Sequence, residues 1–588
     1  MFQSFTETAS PDQGPPRLAA LREKLADTGL DGFLIPRADA HQGEDVADRD
    51  ERLSWLTGFT GSAGWCVALR DRAAVFVDGR YRVQVKAQVA DVFEKVDWPE
   101  TSLADWIGTA LDKGKLGFDP WLLSVDLHRT LVDKLPDLTL TPTDNLVDAI
   151  WPDQPAPPQG RVFAQSLDLA GEAHADKITR LAKDLTAGAA VITLPDSIAW
   201  LLNIRGSDIA RTPVPHGFAV LHGNATVTLY MDAAKLADIG DHLGPQVTLR
   251  TPADFLTDLA ALTGPVQIDP ASCPVAVADA LSDPKDGPDP CLMPKAIKNA
   301  AELDGTRAAH HRDALAMVRF LAWLDAQAPG SLTEIGVVKR LEEERRATNA
   351  LRDISFETIS GSGPNGAIVH YRVTDNTDRP VGDGELLLVD SGGQYVDGTT
   401  DITRTIAIGT PGAEETQAFT RVLKGMIAIS RLRFPKGLAG RDIDPFARAA
   451  LWEVGLDYGH GTGHGVGAYL SVHEGPQRIA RTGTVPLEAG MILSNEPGFY
   501  REGAYGIRIE NLIAVRPAPK LDGQSVPQML EFETLTWVPI DTRLIDVTLL
   551  TKAERTWLND YHQQVYDTLS PHLDAATGQW LSGACSVI

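Results

Sequence analysis

At 588 residues the chain is too long for a single hydrophobic core, and roughly three or four domains are expected. A hydrophobic share of 43% is ordinary for globular protein, whereas 54 basic residues against 79 acidic ones leave a net charge of −25, which argues against nucleic acid or an anionic membrane as partner. The four cysteines, Cys66, Cys273, Cys291 and Cys585, are scattered without CxxC spacing, so neither a disulfide framework nor a thiolate zinc site is indicated and a reducing compartment fits.

The first stretch, MFQSFTETASPDQGPPR, has no basic segment followed by an apolar core, and no later run approaches ~18 apolar residues. A cytoplasmic protein without a membrane span is expected. Two Pro-rich, non-periodic stretches, WPDQPAPPQGR (Trp151 to Arg161) and SDPKDGPDPCLMPK (Ser282 to Lys295), read as linkers. They place domains at 1–155, 156–298 and 299–588. The first two parts echo each other. WLTGFTGS (Trp55 to Ser62) and WLLNIRGS (Trp200 to Ser207) each follow an apolar run ending in Pro, and each precedes a strand ending in Asp, VFVD and TLYMD. That pattern fits a duplicated α/β domain.

The third part opens on helices. Leu315, Val318, Leu321 and Leu324 recur at helical intervals, and a capping box of Ser331 with Glu334 is expected to start the next helix. From FETISGSG onward β-branched runs and glycine turns predict a curved, largely antiparallel sheet covered by helices.

In VDSGGQYVDGTTDITRT (Val389 to Thr405) Asp390 ends one apolar strand and Asp401 opens another, with a Gly-containing turn between. Two anions at an apolar strand end call for a compensating cation or proton, unless they are turn residues in water. GHGTGHGVGAYLSVHEGP sets His460, His464 and His473 among glycines, which let a backbone approach a ligand closely. SNEPGFY carries Glu496, and GIRIENL places Glu510 in an apolar strand with Arg508 on the same face, where a plain ion pair is the simpler alternative. Together Asp390, Asp401, His464, Glu496 and Glu510 make four carboxylates and one imidazole. Oxygen-rich ligands with one nitrogen suit Mn²⁺, Co²⁺ or Zn²⁺, and four anionic charges balance two such ions, which would also hold a shared water as hydroxide.

These motifs resemble the metal-ligand segments of the pita-bread metallopeptidases, and within them the long three-domain cytosolic form of aminopeptidase P (Xaa-Pro aminopeptidase). The resemblance extends to AIVHYR around His370, to WLTGFTGSAG and VDGRY, and to LTWVPID and WLNDYH, so it covers nearly the whole chain. It implies two creatinase-type N-terminal α/β domains followed by an α+β pita-bread catalytic domain with a C-terminal extension. It further implies a metal-dependent hydrolase that removes an N-terminal residue when proline follows it, with two manganese ions and a homodimeric assembly. By the resemblance Asp401, His464 and Glu510 are among the ligands of one ion, Asp390 holds the other, and carboxylates including Glu496 and Glu510 bridge. Glu496 is the implied proton shuttle, His370 and His473 contact substrate, His460 lines the site, and Arg508 and Tyr500 orient the ligand carboxylates. Prolidase, restricted to Xaa-Pro dipeptides, shares the fold and metal set. Non-catalytic binding modules and metal-free creatinase-like enzymes resemble the fold without its ligands.

Overall fold

Phe33, Leu34 and Ile35 have no room for water on either side, and the strand they form, β1 (Gly32–Pro36), lies in the interior of a six-stranded sheet. Strands buried on both faces read as continuous apolar runs, which is why FLIP and VFV look alike in sequence. The computed structural model describes residues 1–588 and divides into two units, Thr8–Lys295 on one side and Met1–Glu7 with Ala296–Ile588 on the other.

In the unit Thr8–Lys295 the first sheet comprises β1, β2 (Trp65–Leu69), β3 (Ala73–Val77), β4 (Glu94–Asp97), β5 (Gly114–Phe118) and β6 (Leu138–Pro142), in the order β4-β3-β2-β1-β5-β6. β2 pairs antiparallel with β1 and β3, while β4, β5 and β6 join in parallel. A second six-stranded sheet repeats this design strand for strand. Ala189–Ile192 takes the place of β1, with Phe218–His222 and Thr226–Tyr230 antiparallel on one side and Val266–Ile268 parallel on the other. The echoed motifs mark equivalent short helices, Arg52–Thr57 and Pro195–Leu201. Each is followed by a left-handed residue, Gly58 at φ 86° and Asn203 at φ 50°, the two residue types that tolerate that geometry best. The duplication expected from the sequence is present.

In the other unit, helices Ala300–Asp325 and Glu334–Arg346 come first and every strand ladder is antiparallel. Leu386–Ser391 pairs with Ile402–Ala407, Asp390 standing opposite Thr403. Between them lies a small hairpin, Gly393–Tyr395 with Gly398–Thr399, that pairs onward with Asp353–Ile354 and so replaces the simple turn expected. A six-stranded sheet contributes Gly463–Gly465, Ile492–Asn495 and Asn511–Pro517, and the hairpin Gly498–Arg501/Tyr505–Arg508 completes the scaffold. Met317, Phe320, Leu387, Val389, Phe419, Leu423 and Val565 form the core between helices and strands.

The expected capping box is a correction. Thr333, not Ser331, caps the second helix, its Oγ1 accepting from Gly336 N–H at 3.2 Å, while Ser331 Oγ donates to Ala328 O. Glu334 is turned inward, where Ser362 N–H, Asn365 Nδ2 and Tyr371 Oη all donate to its carboxylate. Three donors at a buried carboxylate outweigh one exposed cap.

Candidate metal centre

Asp390 is carried to the end of its strand by LLLV, and the antiparallel register brings it beside Thr403, two residues after Asp401. Glu510 lies two residues beyond the strand Tyr505–Arg508, and its backbone N–H donates to Thr403 O at 3.1 Å. His464 lies in Gly463–Gly465, where Gly463 is required: a Cβ there would run into Ser494 O. Ser494 Oγ in turn accepts from His464 N–H at 2.9 Å and donates to Glu496 Oε1 at 3.0 Å, tying the histidine segment to the SNEP segment.

One ligand atom from each of Asp401, His464 and Glu510 falls within 4.8 Å of the others, the spacing of a metal-binding triad. His464 Nε2 lies 3.5 Å from Asp401 Oδ2 and 3.4 Å from Glu496 Oε1. Its Nδ1 lies 2.9 Å from Gly465 O, an acceptor only, so Nδ1 carries the proton and Nε2 offers its lone pair toward the acids. Asp390 Oδ1, Asp401 Oδ1 and Glu510 Oε1 are buried without a hydrogen-bond partner. Burial raises the Asp390 and Glu496 carboxyls above their ordinary range and lifts Glu510 well above it, with the neighbouring acids adding to the effect on each. Orphaned, mutually repelling carboxylates around an aimed imidazole fit a divalent cation centre.

Arg508 does not pair with Glu510. Its Nη2 donates to Asp390 Oδ2 and its Nη1 to Tyr500 Oη, both at 2.6 Å, and its Nε to Thr403 Oγ1 at 3.1 Å. Thr403 Oγ1 in turn donates a hydrogen bond to Glu510 Oε2 at 2.8 Å. Tyr500 Oη also meets His460 Nε2 at 2.9 Å, so one chain of contacts runs from His460 to the carboxylates. His473 stands edge-to-face on His464 with ring centroids 4.4 Å apart. His370 lies just beyond the turn Gly363–Ala367, which is pressed against Tyr505–Arg508 so closely that a Cβ on Gly506 would overlap Gly366 O. The five expected ligands thus converge, with Arg508 and His473 in direct contact with them and Tyr500 and His460 joined to them through Arg508. Thr403, which ties Arg508 to Glu510, and Ser494, which ties the His464 segment to Glu496, stand inside the quoted motifs but are not marked out by them; a hydroxyl flanking a ligand is the available signal.

Aminopeptidase P2 of Arabidopsis thaliana is 40% identical to the chain over 620 residues, covering 96% of the chain and 87% of the relative. The chain belongs to the aminopeptidase P branch of the M24 metallopeptidases. A probable Xaa-Pro aminopeptidase P of Laccaria bicolor is likewise 40% identical, with 97% and 93% covered. Models for metallopeptidase family M24 and its C-terminal region match residues 304–517 and 528–588, and creatinase/prolidase N-terminal domains match 17–150 and 153–302. Among solved structures, the X-prolyl aminopeptidase of Caenorhabditis elegans, described as a cytosolic enzyme with a di-nuclear active site, superposes with a TM-score of 0.93 at 33% identity, covering 98% of this chain and all of that one. The prolidase of Pyrococcus horikoshii shares the fold at 22% identity over 63% of the chain, with a TM-score of 0.50. Membership of a metallopeptidase family fits a cation at the carboxylate cluster. No helix of the chain is long and apolar enough to cross a membrane.

Proposed function

We propose that the chain hydrolyses the first peptide bond of peptides whose second residue is proline, and that its centre holds two divalent ions, manganese by preference. The observation that carries this reading is the set of three buried carboxylate oxygens, on Asp390, Asp401 and Glu510, left without a partner around the lone pair of His464. The likeness to a di-nuclear X-prolyl aminopeptidase over 98% of the chain supports it. Asp401, His464 and Glu510 would hold one ion, Asp390 the other, with Glu496 and Glu510 shared. When bound, the ions would lower the pKa of water and polarise the scissile carbonyl.

The chain's own residues do the rest. Glu496, with Ser494 Oγ steadying Oε1, takes a proton from the attacking water and delivers it to the proline nitrogen as the C–N bond breaks. His370 and His473 donate to the oxygen that gains negative charge, and His460, braced by Tyr500, lines the same site. A pocket shaped to a ring nitrogen without N–H would position a tertiary amide and misplace a secondary one. We also propose a cytoplasmic homodimer and a division into domains at 1–155, 156–298 and 299–588.

The test combines metal analysis with cleavage of Arg-Pro-Pro, Arg-Ala-Pro and a Xaa-Pro dipeptide. Chelation is expected to abolish activity and Mn²⁺ to restore it best, with the first peptide cut fastest. Equal rates for Pro and Ala would reduce the claim to a general aminopeptidase, dipeptide-only cleavage would make it a prolidase, and full activity without metal would overturn it.

A further inference from the structure

The first seven residues form no helix or strand, and chain ends of that kind fray unless something ties them down. Here the ties are specific. Gln3 is 4% exposed, and its side-chain amide pairs with the backbone of Thr358 in both directions: Thr358 N–H donates to Oε1 at 2.9 Å, and Nε2 donates to Thr358 O at 3.3 Å. Phe5 rests on the apolar cluster of Ile335, Val338, Ile359, Tyr371 and Val373, on which Tyr500 also rests.

The grip falls on two segments that border the metal centre. Thr358 precedes the strand Ile359–Ser362, whose Ile359 stands opposite Asp390. The other segment comes two residues after His370. Arg372 Nη2 donates to Ser4 O and its Nη1 to Thr6 O, both at 3.0 Å, while its Nε donates to Glu357 Oε2 at 2.6 Å. Asp375 N–H donates to Phe5 O at 2.8 Å, and Thr374 Oγ1 donates to Glu7 Oε2 at 3.1 Å. His370 therefore stands on a short span with the turn Gly363–Ala367 at one end and residues bound to the N-terminal segment at the other. Glu334 holds the Tyr371 ring from its own helix, and the N-terminal segment holds the backbone that follows.

We propose that the segment Met1–Glu7 is a positioning strap for His370: by fixing Thr358 and the backbone of residues 372–375, it sets where that imidazole meets the oxygen that gains negative charge. The inference deepens the reaction proposed above and rests on it for the role of His370. A donor to an oxyanion works only when it is held in place beforehand, and a displacement of about 1 Å costs on the order of 100-fold in rate.

The experiment compares the full-length, metal-loaded protein with a chain lacking residues 2–7, by hydrogen–deuterium exchange, metal content, thermal midpoint and kinetics on Arg-Pro-Pro. Faster exchange is expected at Thr358 and Asp375, whose N–H groups donate to the strap, with metal content and the exchange of Leu386–Ser391 as in the parent. The kcat per bound metal is expected to fall roughly 10- to 100-fold with KM little changed, because His370 would act on the transition state and not on substrate binding. Unchanged exchange at both amides, an unchanged kcat, or a kcat that falls only in step with bound metal and folded fraction would each overturn the proposal. Should the truncated chain not fold, Gln3→Leu, which keeps the chain length and removes only the amide pair, is read in the same way at Thr358. A parent inactive on Xaa-Pro peptides would remove the peptidase reading and the role of His370 with it, whereas an active parent with an insensitive truncation removes the strap alone.

Discussion

Thr403 Oγ1 sits between a guanidinium and a carboxylate, accepting from Arg508 and donating to Glu510. The ligands themselves were legible because acids in apolar strands and histidines among glycines violate ordinary burial preferences. Thr403 was not, since a β-branched residue in a strand violates nothing, and only the fold reveals that its hydroxyl faces inward. The same distinction separates two kinds of substitution. Asp401→Asn removes an anionic ligand, and bound metal and activity are expected to fall together, because a neutral amide cannot offset the ions' charge. His473→Ala and His370→Ala are expected to keep metal and fold while kcat drops on the order of 100- to 1000-fold, the usual cost of losing one donor to a developing oxyanion. Metal stoichiometry, thermal midpoint and kcat on the same preparations decide. Histidines that were merely structural would lower all three in step.

The strand Ile402–Ala407 is joined to the C-terminal extension through Arg404, which is 2% exposed and meets no carboxylate. Its guanidinium donates to the carbonyls of Glu510, Val538 and Pro539 and to Asn511 Oδ1, all between 2.6 and 3.0 Å. This is the physical content of the LTWVPID and WLNDYH motifs, whose Tyr561 hydroxyl donates to Val538 O at 2.7 Å. Arg404→Met would orphan several buried carbonyls at about 1–3 kcal/mol each, so a loss of roughly 3 kcal/mol or more is expected in urea unfolding, with Arg404→Lys intermediate. His562, on the helix Lys552–Leu569, accepts Ile540 N–H at Nε2 and must be neutral to do so. Burial lowers its pKa to about 4 from 6.5, so its share of stability is intact above pH 6.5 and is lost as pH falls toward 4, up to roughly 3 kcal/mol. His562→Gln, which keeps an acceptor at that reach and does not titrate, is expected to show a shallower fall in thermal midpoint from pH 6.5 to 4; parallel curves would refute it. Periodicity made the helices legible, but it could not show that Glu334 serves Tyr371 and the segment leading to His370 instead of its own helix end.

At the scale of the whole molecule the echo of two short motifs foretold a repeated architecture, since each copy must close a helix before returning to its sheet. The first seven residues were opaque. Phe2 N–H donates to Glu342 and Asp375 N–H to Phe5 O, contacts across more than 300 residues that no local pattern encodes. The unit Thr8–Lys295 has hydrophobic clusters of its own around Phe33, Phe76 and Phe255. Expressed alone it is expected to melt cooperatively, and a broad transition with exposed apolar surface would show that it depends on the rest of the chain.

The Arg508–Asp390 contact also bears on the scaffold around it. A pocket of desolvated acids with no positive charge would push its own strands apart, whereas the Arg508 guanidinium answers one of them from within the fold. The hairpin that carries Arg508 therefore acts as a tie between strands that their own charges would separate, and losing that cation would loosen the whole scaffold of the centre, not one contact alone.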